Sequence, residues 1–140
     1  MSKAPLGKLS DLGQSVWIDS LSRDMIESGE LQRLIDEDSV VGVTTNPSIF
    51  QKALSSVDAY DEQMREVMDG QQEDREVFFE LAATDVRNAC DVLRPVWDSG
   101  GGRDCWVSLE VDPYVAHDAD QTLEDAKRLS KMVDRPFCFI

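Results

Sequence analysis

Short apolar runs alternate with longer helix-patterned stretches along the chain, and this rhythm limits the possible folds more than any other feature. Val16-Trp17-Ile18 is the first run. A polar stretch from Ser22 to Glu37 comes next, interrupted at Ser28-Gly29, with Leu31, Leu34 and Ile35 spaced for one helical face. Val40-Val41-Gly42-Val43 is the second run, rich in β-branched residues and bounded by polar ones. Beyond it Tyr60, Met64 and Met68 step by four, and Phe78, Leu81, Ala82, Val86 and Leu93 trace another face, with Gly70 marking a break between them. Pro95 and the cluster Asp98-Ser99-Gly100-Gly101-Gly102 are expected to end that region in a turn. Cys105-Trp106-Val107-Ser108-Leu109 is the third strand candidate. A helix over 119–133, with Leu123, Ala126 and Leu129 facing inward, leads to a fourth at Pro136 to Ile140. Strands joined by helices of this length pair in parallel, because a parallel neighbour needs a crossover connection. The expected class is α/β. No repeat or Pro-rich linker divides the chain, so residues 1–140 are expected to form a single domain.

Composition narrows what such a fold would bind. Twenty-eight acidic residues against fourteen basic ones give a net charge of −14. That balance argues against nucleic acid, whose phosphates need clustered Lys and Arg, and against an anionic membrane surface. Its bland meaning is a solvated acidic surface, and any phosphate site has to be built locally. No apolar run approaches the ~20 residues of a membrane helix, and Met1 to Ser10 lack the apolar stretch of a secretory signal. Cys90, Cys105 and Cys138 are odd in number and scattered, which fits reduced, buried thiols in a cytoplasmic protein better than a disulfide framework or a zinc site. Trp17, Trp97 and Trp106 read as packing residues, and the lone His117 as a surface or supporting group. Gly100-Gly101-Gly102 precedes a strand instead of opening a helix, so it is no phosphate loop.

Polar residues close the first three apolar runs. Asp19 follows Ile18, Thr44-Thr45-Asn46 follows Val43, and Glu110 follows Leu109. In parallel α/β folds the carboxyl ends of the strands converge on one rim, where substrates bind. Two carboxylates, two hydroxyls and an amide would then surround one mouth. Each position also has a purely structural reading. Asp19 suits a helix cap, and Thr44-Thr45-Asn46-Pro47 suits a turn, with Ser48 capping the next segment. Glu110 is harder to explain that way, since a carboxylate at the end of an apolar strand costs energy unless it is paired or used.

Three segments carry a family resemblance. Val16-Trp17-Ile18-Asp19-Ser20-Leu21-Ser22-Arg23-Asp24 resembles the first barrel strand of transaldolases. Gly42-Val43-Thr44-Thr45-Asn46-Pro47-Ser48-Ile49-Phe50 resembles their most specific signature, and Val107-Ser108-Leu109-Glu110-Val111 is similar to their third strand. The similarity covers nearly all of the chain in order. It implies a (β/α)8 barrel enzyme of the pentose phosphate pathway that needs no metal or organic cofactor. Such an enzyme moves a dihydroxyacetone unit between sugar phosphates: sedoheptulose 7-phosphate and glyceraldehyde 3-phosphate give erythrose 4-phosphate and fructose 6-phosphate. A lysine amine forms a Schiff base with the ketose, and the cationic nitrogen takes up the electrons of the breaking carbon–carbon bond. The resemblance further implies that Asp19 is the acid/base at the reacting hydroxyl and that Glu110 activates the water of imine formation and hydrolysis. Thr44 and Asn46 would hydrogen-bond the dihydroxyacetone portion.

The same resemblance places the Schiff-base lysine just after Ile140, at the end of a fourth strand reading Phe137-Cys138-Phe139-Ile140; family members usually carry a polar residue where Phe137 stands. None of Lys3, Lys8, Lys52, Lys127 and Lys131 stands at the end of a strand candidate, and the family's phosphate-binding arginines would lie further downstream. A whole barrel of this type takes ~250 residues. The expectation is therefore a partial (β/α)8 TIM barrel, about its first four β/α units, inactive on its own. Its rival is a non-catalytic half-barrel that self-associates through open edges or pairs with another chain. A carboxylate metal site from Asp19, Glu110 and Asp112 is a weaker alternative, because Asp112 before Pro113 is more simply a turn residue.

Overall fold

The structure is a computed structural model that describes residues 5–46, 48, 52, 58–68 and 73–140. Four strands, β1 (Val16–Ile18), β2 (Val40–Val43), β3 (Trp106–Ser108) and β4 (Cys138–Phe139), form one sheet in the order β1-β2-β3-β4. Every neighbouring pair is parallel. Helices occupy each crossover, as the rhythm of the sequence demands. After α1 (Pro5–Asp11) and β1 come α2 (Arg23–Glu27) and α3 (Glu30–Asp38). They divide at Ser28-Gly29, where Gly29 takes φ 80°, a left-handed conformation that glycine adopts at little cost. After β2 come a 3-10 turn (Asp58–Tyr60), α4 (Asp61–Val67) and the long α5 (Asp74–Gly100); a second 3-10 turn (Pro113–Val115) and α6 (Ala119–Val133) join β3 to β4. This is an α/β architecture consistent with the opening part of a (β/α)8 barrel. Pro47, Ile49, Phe50 and the expected break at Gly70 lie outside the described residues.

Of three expectations, one holds in part and two need correction. Helix α5 runs through Pro95 and ends, as expected, inside the glycine cluster, at Gly100, capped by the left-handed Gly101. An interior proline costs a helix about 3 kcal/mol, and here burial offsets it: Val96 and Trp97, one turn beyond Leu93, still pack on the core. In α6 the buried positions are Asp125, Leu129 and Val133, while Leu123 is exposed. The buried stripe is displaced from the apolar pattern because Asp125 is drawn inward by Arg75 of α5 and by Gln121. Strand β3 starts at Trp106 because Cys105 has φ 85°, outside the extended region.

The convex side of the sheet is the core. Val43, Val107 and Leu109 are buried there against Val86, Cys90 and Leu93 of α5, with Leu129 and Val133 of α6 closing the layer. The concave side is different. Trp17 and Phe139 belong to the first and fourth strands, which would stand about 14 Å apart in a flat sheet, yet their rings lie 6.1 Å apart. Trp17 leans across Gly42 of β2, and the two rings meet on the inner side of the sheet. Gly42 makes this possible. It pairs with Trp17 across β1–β2, and a Cβ there would fall within the indole of Trp17.

The carboxyl ends of β2 and β3 are cross-linked. The Thr45 N–H donates to Ser108 Oγ at 3.0 Å, and Thr45 Oγ1 donates to the Ser108 carbonyl at 2.8 Å, both buried. Two substitutions check these contacts by urea unfolding. Gly42→Ala is expected to destabilise the chain by about 1–3 kcal/mol through overpacking; unchanged stability would mean that the Trp17 ring swings free. Thr45→Val, nearly isosteric, is expected to cost about 1–3 kcal/mol because the buried Ser108 carbonyl loses its donor; a neutral result would show the cross-link to be dispensable.

Candidate active site

Parallel pairing in strand order puts the residues that come after β1, β2 and β3 along one rim. At its left end Thr44 is fixed by its own backbone, whose N–H donates to the Ile18 carbonyl at 2.8 Å and so continues the β1–β2 ladder. Its Oγ1 then donates to Asp19 Oδ1 at 2.6 Å. Side chains alternate along a strand, so Asp19, two residues after Trp17, and Thr44, two after Gly42, share the concave side with the Trp17 ring. Asp19 is exposed and Thr44 is half-buried. The pair is a charge-assisted hydrogen bond that opens to solvent.

Asn46 is half-buried on the segment leaving β2, where its Oδ1 accepts from the Ser48 N–H at 2.8 Å. This is the turn geometry that the sequence suggested as one reading. It leaves the carboxamide NH2 without a partner among the described residues. Glu110 stands two residues beyond Ser108, exposed, and makes no hydrogen bond to Asp19, Thr44 or Asn46 among the described residues. It lines a cavity of about 230 Å³ together with Arg75, Phe78, Val111, Asp112 and Tyr114. The rim thus brings Asp19 and Thr44 into contact, sets Asn46 on the adjoining segment and leaves Glu110 apart across the Thr45–Ser108 cross-link. Asp112 lines the same cavity as Glu110, but its carboxylate is already engaged. It caps the 3-10 turn by accepting from the Tyr114 N–H at 2.9 Å and pairs with Arg75 at 2.8 Å, which removes it from any shared carboxylate centre.

The rim also includes a residue that sequence reasoning did not single out. Ser108 is buried at the carboxyl end of β3 and receives the Thr45 amide. Its signal was available: a hydroxyl in an otherwise apolar run, two positions before Glu110.

Nucleophiles are scarce here. Burial pushes the Cys105 and Cys138 thiols up to about 11 and the Cys90 thiol higher still, so all three remain protonated and unreactive. Among the described lysines, Lys8, Lys52, Lys127 and Lys131 are exposed and none directly follows a strand. All the arginines except the exposed Arg103 are engaged elsewhere. Arg33, Arg65 and Arg94 pair with carboxylates along their own helices. Arg23, Arg75, Arg128 and Arg135 pair with carboxylates of other elements, and Arg87 donates to the Met132 and Val133 carbonyls. Arg135 holds the Asp91 carboxyl below the usual carboxylate range.

Known proteins are similar to this sequence. It is 54% identical over 134 residues to a transaldolase of Mycobacterium ulcerans, covering 96% of this chain and 36% of that protein. It is 50% identical over 135 residues to "Transaldolase 2" of Streptomyces coelicolor (96% and 36%) and 50% identical over 136 residues to a transaldolase of Frankia alni (97% and 37%). The chain therefore spans about a third of the length of the curated relatives it matches. The family profile described as Transaldolase/Fructose-6-phosphate aldolase matches residues 16–140, from the first residue of β1 to Ile140. Taken with the parallel sheet and its polar rim, this match shows that the chain belongs to the transaldolase/fructose-6-phosphate aldolase family.

Proposed function

We propose that these 140 residues are the N-terminal part of a single barrel domain and build one wall of a transaldolase site. That site passes a dihydroxyacetone unit from sedoheptulose 7-phosphate to glyceraldehyde 3-phosphate, in the cytoplasmic pentose phosphate pathway. The observation that carries this reading is the Asp19–Thr44 contact, 2.6 Å long, at the carboxyl ends of two parallel strands within the segment the family profile matches.

The roles derive from the groups. With the substrate held as an iminium, Asp19 accepts the proton of the hydroxyl on the carbon beside the breaking bond. The carbonyl of the departing aldose forms as the bond electrons pass to the nitrogen. Thr44 holds the carboxylate in place by donating to it. Asn46 has committed its oxygen to Ser48 and offers its NH2 to a hydroxyl of the dihydroxyacetone unit. Glu110, separate and exposed, takes the second proton-transfer duty, activating water as the imine forms and is hydrolysed. The chemistry asks for no metal or organic cofactor, and the amine comes from outside these residues.

Grafting decides the matter. A chimera in which these residues replace the matching third of the Mycobacterium ulcerans protein is expected to catalyse the transfer. Asp19→Asn in that chimera is expected to lower kcat by about 10²–10⁴-fold, with Glu110→Gln also impaired; full activity in Asp19→Asn would sink the assignment. The 140 residues alone are expected to stay unmodified when treated with fructose 6-phosphate and borohydride. A reduced adduct on any of their lysines, seen by mass spectrometry, would overturn the view that the amine lies elsewhere.

One observation favours a second reading, a half-barrel that pairs with its own copy. Phe139 is 43% exposed on the concave side, and β1 and β4 each have a single neighbour in the described sheet. A defined dimer in light scattering at micromolar concentration would support it, and a monomer would remove it.

A further inference from the structure

A buried ion pair lies behind the rim, in none of the roles assigned to Asp19, Thr44, Asn46 and Glu110. The Arg23 and Asp85 side chains are 9% and 0% exposed, with Arg23 Nε donating to Asp85 Oδ1 at 2.8 Å. Tyr60 completes a closed ring: its hydroxyl donates to Asp85 Oδ2 at 2.7 Å and accepts the Arg23 backbone N–H at 3.0 Å. The guanidinium also donates to the Ala59 carbonyl at 3.1 Å and to Gln63 Oε1 at 2.5 Å, and it stacks 4.3 Å from the Tyr60 ring centre. Burial raises the Asp85 carboxyl above its ordinary range, and the bonds from Tyr60 and Arg23 pull it back.

Such a pair is a poor device for stability alone. Well-packed apolar side chains of the same volume are often as stable, because desolvation consumes the Coulombic gain. What an apolar side chain lacks is direction, and a guanidinium fork held at several points has it. Here the fork fixes the first residue of α2, four positions after Asp19. Between them Leu21 is buried as a plug and Ser22 caps α2 by accepting from the Met25 N–H. The turn carrying Asp19 is therefore gripped in front by Thr44 and behind by Arg23, with only three residues between.

We propose that Asp85 is a positioning residue: acting through Arg23 and Tyr60, it holds the β1–α2 turn so that Asp19 stays on the rim against Thr44. Its catalytic consequence rests on the proton-transfer role proposed for Asp19; the positioning itself does not.

Amide hydrogen exchange on the 140-residue chain tests it. The reporter is the Thr44 N–H bonded to Ile18, and the reference is the Leu109 N–H bonded to Phe139 at the far side of the sheet. Tyr60→Phe keeps the ring and its packing but breaks the link between Asp85 and the Arg23 backbone. Asp85→Asn removes the charge. Both are expected to speed Thr44 exchange about tenfold relative to Leu109, the loss of roughly one hydrogen bond's worth of local stability. Equal acceleration at both amides would mean a merely structural role, and no change at either would mean no role; each overturns the proposal. Should Asp85→Asn unfold the chain, Tyr60→Phe still decides. In the chimera, Tyr60→Phe is expected to lower kcat with KM little changed. Selective Thr44 loosening with kcat intact would keep the positioning and instead refute the role of Asp19.

Discussion

The indole of Trp17 lying over Gly42 is the contact on which the rest of this structure turns. Four short strands in parallel order define only a sheet. Its curvature decides whether the residues after each strand spread along a line or gather around a hollow. A side chain at position 42 would hold Trp17 off the strand and keep it from Phe139. With glycine there, aromatic packing occurs on the inner side of the sheet, the side that the polar residues two positions onward share. The Asp19–Thr44 hydrogen bond lies one step beyond the Ile18–Val43 pair, directly above this contact.

Helix α5 supplies the complementary constraint from outside. It packs its long buried stripe against the convex side of β2 and β3 and runs on past Pro95 until Trp97 meets Trp106 and Phe137 at 5.5 and 5.1 Å. It also carries Asp85, so the element that builds the core reaches the rim through a chain of polar contacts. Stability and geometry of the site are thereby joined in one helix. At its start Phe79 lies between the guanidinium groups of Arg75 and Arg128, at 5.7 and 5.4 Å, which ties α5 to α6 through cations as well as apolar area.

Much of this was legible in the sequence for a simple reason: a buried parallel strand reads as an uninterrupted apolar run, so the first polar residue after it marks the rim. That is how Asp19, Thr44, Asn46 and Glu110 were placed, and it explains why Ser108 was passed over, since it sits inside such a run. Features set by pairs of distant residues were not legible. Arg23 and Asp85 are sixty-two positions apart, and each alone looks like a surface charge. Leu123 fits a helical stripe as well as Leu129 does; only the pull of Arg75 on Asp125 decides which side of α6 turns inward. Helix α1, short and mostly exposed, carries no periodic signal strong enough to announce it.

The engagement of the arginines has an effect on how a charged metabolite would sit. Most guanidinium groups on this wall are already neutralised by neighbouring carboxylates, and the chain carries a surplus of fourteen negative charges. An anionic group is therefore disfavoured along this wall, and a hydroxylated one is tolerated. Polarity of this kind would turn a molecule charged at one end before any hydrogen bond forms, bringing its neutral end to the wall first.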